Sequence, residues 1–167
     1  TSAAQAARQA LAASAAILAD LDRLSEELAA ELPSPLKVAI GIHAGPAIVG
    51  AMGYGGTMHV TAIGDTVNVA SRLEAVAKEF DAAIVVSDKV VALSGLDLSG
   101  YETREIEIRG SALPLNVRVV PQGVPLEVVG RPAVLAELPR VVAVQPHLHA
   151  RRAAVADEPR QVDGQRR

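Results

Sequence analysis

Leu11, Leu18, Leu21, Leu24, Leu28 and Leu32 recur at steps of 7, 3, 3, 4 and 4, the spacing that gathers one apolar stripe on an α-helix. Ser2 with Gln5 three residues on resembles a capping box, and Pro33 and Pro35 end the pattern, so a first helix is predicted over about residues 3–32. Val38, Ile40 and Ile42 then alternate with smaller residues across Leu36–His43, which reads as a strand. Ala47–Met52 and Met58–Ile63 are two further apolar runs around Gly53-Tyr54-Gly55-Gly56, the pattern of a hairpin. Ala70, Leu73, Ala77 and Phe80 follow at steps of 3, 4 and 3, so a second helix is predicted over about 66–80 with Asp65 as its cap. A fourth strand at Ala83–Val86, a short Ser87-capped helix to Ala92, and a second hairpin from Thr103–Arg109 and Leu115–Val120 complete an α+β order with a mixed sheet.

From Pro121 the periodicity decays, and six of the ten prolines fall there at spacings of 4, 7, 7, 7 and 13. Residues 1–120 are therefore expected to form the domain and 121–167 a flexible, disordered tail, with a short docking helix at Ala133–Leu138 as the alternative. Length agrees, since 167 residues fit one domain better than two.

Composition narrows the function. With two Tyr, one Phe and no Trp, the chain lacks the stacking platforms of single-strand and RNA readers. Residues 1–120 hold 9 basic and 14 acidic side chains, and 121–167 hold 7 and 5, so the body is acidic and no nucleic-acid partner is expected. Zero cysteines exclude disulfides and thiolate chemistry and suit a reducing, cytoplasmic setting. Val38–Gly64 is 27 residues without a formal charge, but seven Gly, Pro46, His43 and His59 interrupt it, so no membrane contact by this segment is expected. A chain opening on Thr1 rather than Met reads as a piece of something longer, with tethering to a membrane by upstream segments left open.

The chemistry concentrates in Thr61-Ala62-Ile63-Gly64-Asp65-Thr66-Val67-Asn68-Val69-Ala70-Ser71-Arg72. Asn68 and Arg72, four apart, project from one face of the second helix within its first two turns. A cation near a helix N-terminus opposes the dipole, and the positions three and four residues from Arg72 are Asn68, Val69, Ala75 and Val76, none of them a carboxylate. Two readings stand: a solvated arginine, or an arginine and an asparagine set beside a helix N-terminus to hold a phosphate oxygen. His43 and His59, 16 residues apart without a third ligand in context, read as ordinary strand residues rather than a metal site. Gly50–Gly56 lacks the Lys-Ser/Thr ending of a phosphate loop and reads as a hairpin turn.

Ile40-Gly41-Ile42-His43-Ala44-Gly45-Pro46, then Val49-Gly50, Thr61 to Arg72, and Arg109-Gly110 with the Leu115–Val120 strand after it resemble, in order and spacing, the catalytic domain of the class III nucleotidyl cyclases, which make cyclic AMP or cyclic GMP. The resemblance covers about residues 1–120. It implies a ferredoxin-like, palm-type mixed sheet with helices on one face. It also implies a reaction in which the nucleotide's 3′-hydroxyl attacks the α-phosphorus and pyrophosphate leaves, with no covalent enzyme intermediate. By the same resemblance Asn68 orients the ribose and Arg72 clamps charge developing at the α-phosphate. Thr61 falls at a base-reading position that is Asp or Thr in adenylate-forming members, which favours ATP; the residue alone reads equally as a locally satisfied strand-end Thr. Arg109 falls where many relatives have a Lys reaching the terminal phosphates, or is an exposed hairpin cation.

The resemblance also implies two divalent ions, Mg²⁺ or Mn²⁺, held by a pair of Asp residues in a strand and hairpin upstream of this chain's first helix. That region, with the adenine-reading Lys, is absent here, and Asp20, Asp22, Asp65, Asp81, Asp88 and Asp97 do not sit in a matching context. An N-terminal strand is thus expected to be missing, a sheet edge to be exposed, and the chain alone to be inactive. Because cyclase sites lie at a dimer interface, it is expected to complement a protomer that carries the carboxylates, as a homodimer or heterodimer. An adenylate cyclase portion is the first reading; a catalytically incompetent dimerising subunit and a guanylate cyclase are the alternatives.

Overall fold

The computed structural model describes residues 2–54, 57–108, 113–127 and 142–149. Ser2 caps helix α1 (Ala3–Glu27) by accepting the Gln5 N–H at 3.1 Å. The helix ends a turn before the expected position: Leu28 is its cap, and the Glu31 and Leu32 N–H groups fold back onto the Leu28 carbonyl. Its buried residues, Ala6, Ala7, Leu11, Ala12, Ser14 and Leu18, all lie in the first two thirds. Leu24 is exposed, so the leucine stripe outruns the core it serves.

Strand β1 (Lys37–Ala44) leads into the hairpin of β2 (Ile48–Tyr54) and β3 (Thr57–Ile63), and then into helix α2 (Asp65–Glu79). Strand β4 (Ala82–Ser87), helix α3 (Asp88–Ser94) and the strands β5 (Glu102–Ile106) and β6 (Leu115–Pro121) follow, with β7 at Val142–His149. Five strands form one mixed sheet in the order β5-β6-β4-β1-β7, with β1 and β4 parallel and the other pairs antiparallel; β2 and β3 form a separate two-stranded sheet.

Strands β1 and β4 are buried at nearly every position, which requires cover on both faces. On one face Val38, Ile40, Ile42 and Ile84 pack with Leu11 and Leu18 of α1 and Val90 of α3. On the other, Ala39, Val85, Val117 and Val119 pack with Leu73 and Ala77 of α2. The mixed α+β sheet expected from the sequence is present, but its helices cover both faces rather than one. The reason is legible in Ala82-Ala83-Ile84-Val85-Val86, a continuous apolar run that leaves neither side of the strand fit for water.

Gly41 lets α2 lie close against β1, because a Cβ there would run into the Ala70 carbonyl and the Glu74 amide. Arg8 Nε donates to the Ser94 carbonyl at 2.5 Å, tying α1 to the end of α3, where Gly95 turns the chain at φ 64°.

Parts of the segment expected as a tail are built into the fold. Gln122 Nε2 donates to the Val38 carbonyl at 2.7 Å and the Ala82 carbonyl at 3.1 Å, clasping β1 to β4. Leu126 is buried in the α1-side core, and Tyr101 Oη bonds the Pro125 carbonyl and the Glu127 N–H. Strand β7 pairs with β1 along the sheet edge that was expected to be bare. One amide and one leucine carry no periodicity, so the pattern hides them, and the proline spacing masks a strand containing Pro146. The helix alternative at Ala133–Leu138 lies outside the described residues.

Candidate nucleotide site on helix α2

The site begins at the junction of β3 and α2. Gly64, at φ 149°, occupies the N-cap of α2 and makes no side-chain cap; Asp65 sits in the first turn instead of capping. A side chain at Gly64 would be strained by that backbone angle, and a carboxylate in the first turn complements the helix dipole. Thr66 is buried, and its hydroxyl donates to the Pro46 carbonyl at 2.7 Å, fastening the first turn of α2 to the β1–β2 connection. Gly45 leaves room for that hydroxyl. Sequence reasoning did not single out Thr66; its signal was its place four residues before Ala70 on the buried stripe.

With Thr66, Ala70, Leu73 and Ala77 facing the sheet, the opposite face of α2 is fixed by geometry. Asn68 and Arg72 both lie on that exposed face, one turn apart, as the four-residue spacing predicts. Their elevation and orientation are thus set by a helix pinned at Thr66 and pressed onto Gly41. Thr61 is half-buried on β3, opposite Gly50, so it belongs to the hairpin and not to the helix pair. Arg109 lies outside the described residues.

The two histidines stand on different sheets. His43, half-buried at the end of β1, shares a hydrogen bond of 2.9 Å between Nδ1 and Ser87 Oγ. Burial, and secondarily the charge of Lys89, hold its pKa below the usual imidazole range. Ser87 takes the N-cap position of α3 as expected, but makes no side-chain cap there. His59 is exposed on β3.

Among the described residues no group of three or more His, Asp or Glu side chains is arranged to hold a metal ion. Asp81 pairs with Lys37 at 2.8 Å, Asp88 with Arg118 at 3.2 Å and Asp20 with Arg23 at 3.4 Å. The carboxylates described here therefore do not fit a two-ion centre. None of the helices described is long and apolar enough to cross a membrane.

A family model described as the adenylate and guanylate cyclase catalytic domain matches residues 2–119. Adenylate cyclase 1 of Rhizobium meliloti (strain 1021) is 44% identical over 68 residues, covering 41% of this chain and 10% of that protein. The adenylate cyclase of Anabaena cylindrica is 41% identical over 56 residues, covering 34% of this chain and 11% of that protein. The chain thus spans about a tenth of the length of these curated relatives. Its fold is similar to that of the guanylyl cyclase Cya2, with a TM-score of 0.59 and 21% identity over 72% of this chain and 63% of that one.

Proposed function

The chain belongs to the adenylate and guanylate cyclase catalytic domain family, and from that premise we propose that it supplies the asparagine and arginine half of an adenylate cyclase site. The carrying observation is the presentation of Asn68 and Arg72 on adjacent turns of the exposed face of α2. The reaction converts ATP to 3′,5′-cyclic AMP and pyrophosphate: the ribose 3′-oxygen bonds to the α-phosphorus, the bond to the β-phosphate bridging oxygen breaks, and the hydroxyl proton departs. Asn68 orients the ribose for that attack. Arg72 faces the equatorial oxygens of the α-phosphate, where its planar guanidinium matches the phosphate and where charge develops in the transition state. A single fixed donor of this kind contributes about 3 kcal/mol, or roughly 100-fold in rate.

Thr61, on the strand that feeds α2, reads the base and favours adenine; Arg109 reaches the terminal phosphates. Mg²⁺ or Mn²⁺ held by carboxylates of another segment or of a partner protomer would supply charge neutralisation at the triphosphate and activation of the attacking hydroxyl; the described carboxylates of this chain do not hold it. The functional unit is a dimer in which this chain faces a protomer bearing the carboxylates.

The test mixes the chain with a class III cyclase protomer that keeps its carboxylates but has lost its own asparagine and arginine. Cyclic AMP is expected from the mixture and not from the chain alone, with kcat lowered roughly 100-fold by Arg72→Ala. Turnover unchanged by Arg72→Ala and Asn68→Ala would overturn the assignment. The second reading is a non-catalytic subunit that regulates a complete cyclase. In that case the chain alters a partner's rate whether or not Arg72 is present. Competition of ATP against GTP decides the base.

A further inference from the structure

Helix α2 starts without the usual side-chain fastening. Its N-cap is Gly64, which has no side chain to accept an orphan N–H. The Asn68 N–H reaches the Gly64 carbonyl only at 3.4 Å, longer than an ordinary N–H···O bond. Thr66 supplies what the cap does not: it is buried, and its hydroxyl donates to the Pro46 carbonyl at 2.7 Å. Gly45 is shaped around that bond, because a Cβ there would have its three nearest atoms all in the Thr66 side chain, the hydroxyl oxygen closest. On the reading of Asn68 as the group that orients the ribose, we propose that Thr66 is its positioning residue: the Thr66 hydroxyl fixes the turn that carries Asn68, whereas Arg72 is held independently of it.

The helix is attached at two levels, and the two residues of the pair fall on different ones. From Ala70 onward α2 is pressed onto the sheet: the Ala70 carbonyl and the Glu74 amide lie against Gly41, and Leu73 and Ala77 are fully buried. Arg72 sits inside that packed stretch, so it keeps its height when the first turn loosens. Asn68 precedes the stretch and follows Thr66 by two residues, so its backbone is steadied from the Thr66 side. Two residues on a helix are rotated by about 200°, which turns Asn68 outward while Thr66 faces the sheet. Thr66 therefore touches no nucleotide and acts through the backbone of its own turn. Without the hydroxyl the Pro46 carbonyl loses that donor, and a ribose-orienting group on a loosened turn loses the alignment that the attack needs.

Thr66→Val keeps the shape of the side chain and removes the hydroxyl. In the full chain, mixed with the carboxylate-bearing protomer, it is expected to lower kcat roughly tenfold with KM little changed, and Thr66→Ser is expected to stay close to the unaltered chain. Gly45→Ala, which crowds the hydroxyl while leaving Thr66 in place, is expected to act like Thr66→Val. The loss from Thr66→Val should vanish in an Asn68→Ala background and persist in full in an Arg72→Ala background, since only residues that act together are non-additive. An equal loss in both backgrounds overturns the proposal. Amide hydrogen exchange on the chain alone gives a readout that needs no turnover. Thr66→Val is expected to speed exchange at Val67 and Asn68 and to leave Leu73 to Ala77 unchanged; no change at Asn68, or an increase spread evenly along the helix, overturns the positioning role. Faster exchange at Asn68 together with turnover indifferent to Asn68→Ala upholds Thr66 as the fastening of this turn and overturns the ribose assignment instead.

Discussion

Gly41 sets the distance between α2 and β1, and through it the height of Asn68 and Arg72 above the sheet. A methyl group there has backbone and not a flexible side chain to displace, so Gly41→Ala is expected to lower unfolding stability by about 1–3 kcal/mol, read by urea denaturation. Gln122 bridges two carbonyls from adjacent strands. Gln122→Ala leaves both without that donor and is expected to cost about 1–3 kcal/mol, measured the same way. His43 titrates below its ordinary range because it is buried, with Lys89 adding to the effect. Its unfolded form therefore binds the proton more readily, so its contribution is complete above about pH 6.5 and is lost as pH falls from there toward the depressed folded value. His43→Gln is expected to flatten that acid-side decline when urea midpoints at pH 5 and pH 7.5 are compared.

At the scale of elements, periodicity located most of what is seen. The second helix was expected at 66–80 and spans Asp65–Glu79, because Ala70, Leu73 and Ala77 pack the face that their spacing defines. The β2–β3 hairpin was legible from its glycine cluster, yet its apolar residues are not core: Ile48 is 71% exposed and Val60 80%. Apolar character alone cannot say whether a strand is covered by its own chain or by another surface. A two-stranded sheet is marginal by itself, and a row of exposed aliphatics is what an interface leaves bare in a single protomer. The placement of the proposed pair, Asn68 with Arg72, on the exposed face of α2 follows from helical geometry. Thr66 and Gly64, which hold that geometry in place, act through one hydroxyl bond and one backbone angle, neither of which has a period.

For the whole molecule, the sheet protects its two borders differently. Strand β5 shows solvent Glu102, Thr103, Arg104 and Glu105, charges that discourage further pairing. The opposite border is closed by β7, drawn from far along the chain. A bare edge was expected because the family resemblance places a strand ahead of the first helix that this sequence lacks; β7 pairs along β1 instead. Both faces of β1 and β4 are covered by helices, so among the described residues these two strands present no bare face.

That hairpin interrupts the passage from β1 to its parallel neighbour β4, and the main sheet takes no strand from it. The pairing of β1 with β4 is therefore made without any residue of the hairpin. Thr61, proposed to choose the base, rides on this detachable excursion, whereas Asn68 and Arg72 ride on a helix bolted to the sheet. If the proposed roles hold, selectivity for one nucleotide over another can drift over evolutionary time at little cost to folding, while the two groups proposed to hold the phosphate are kept at their posts.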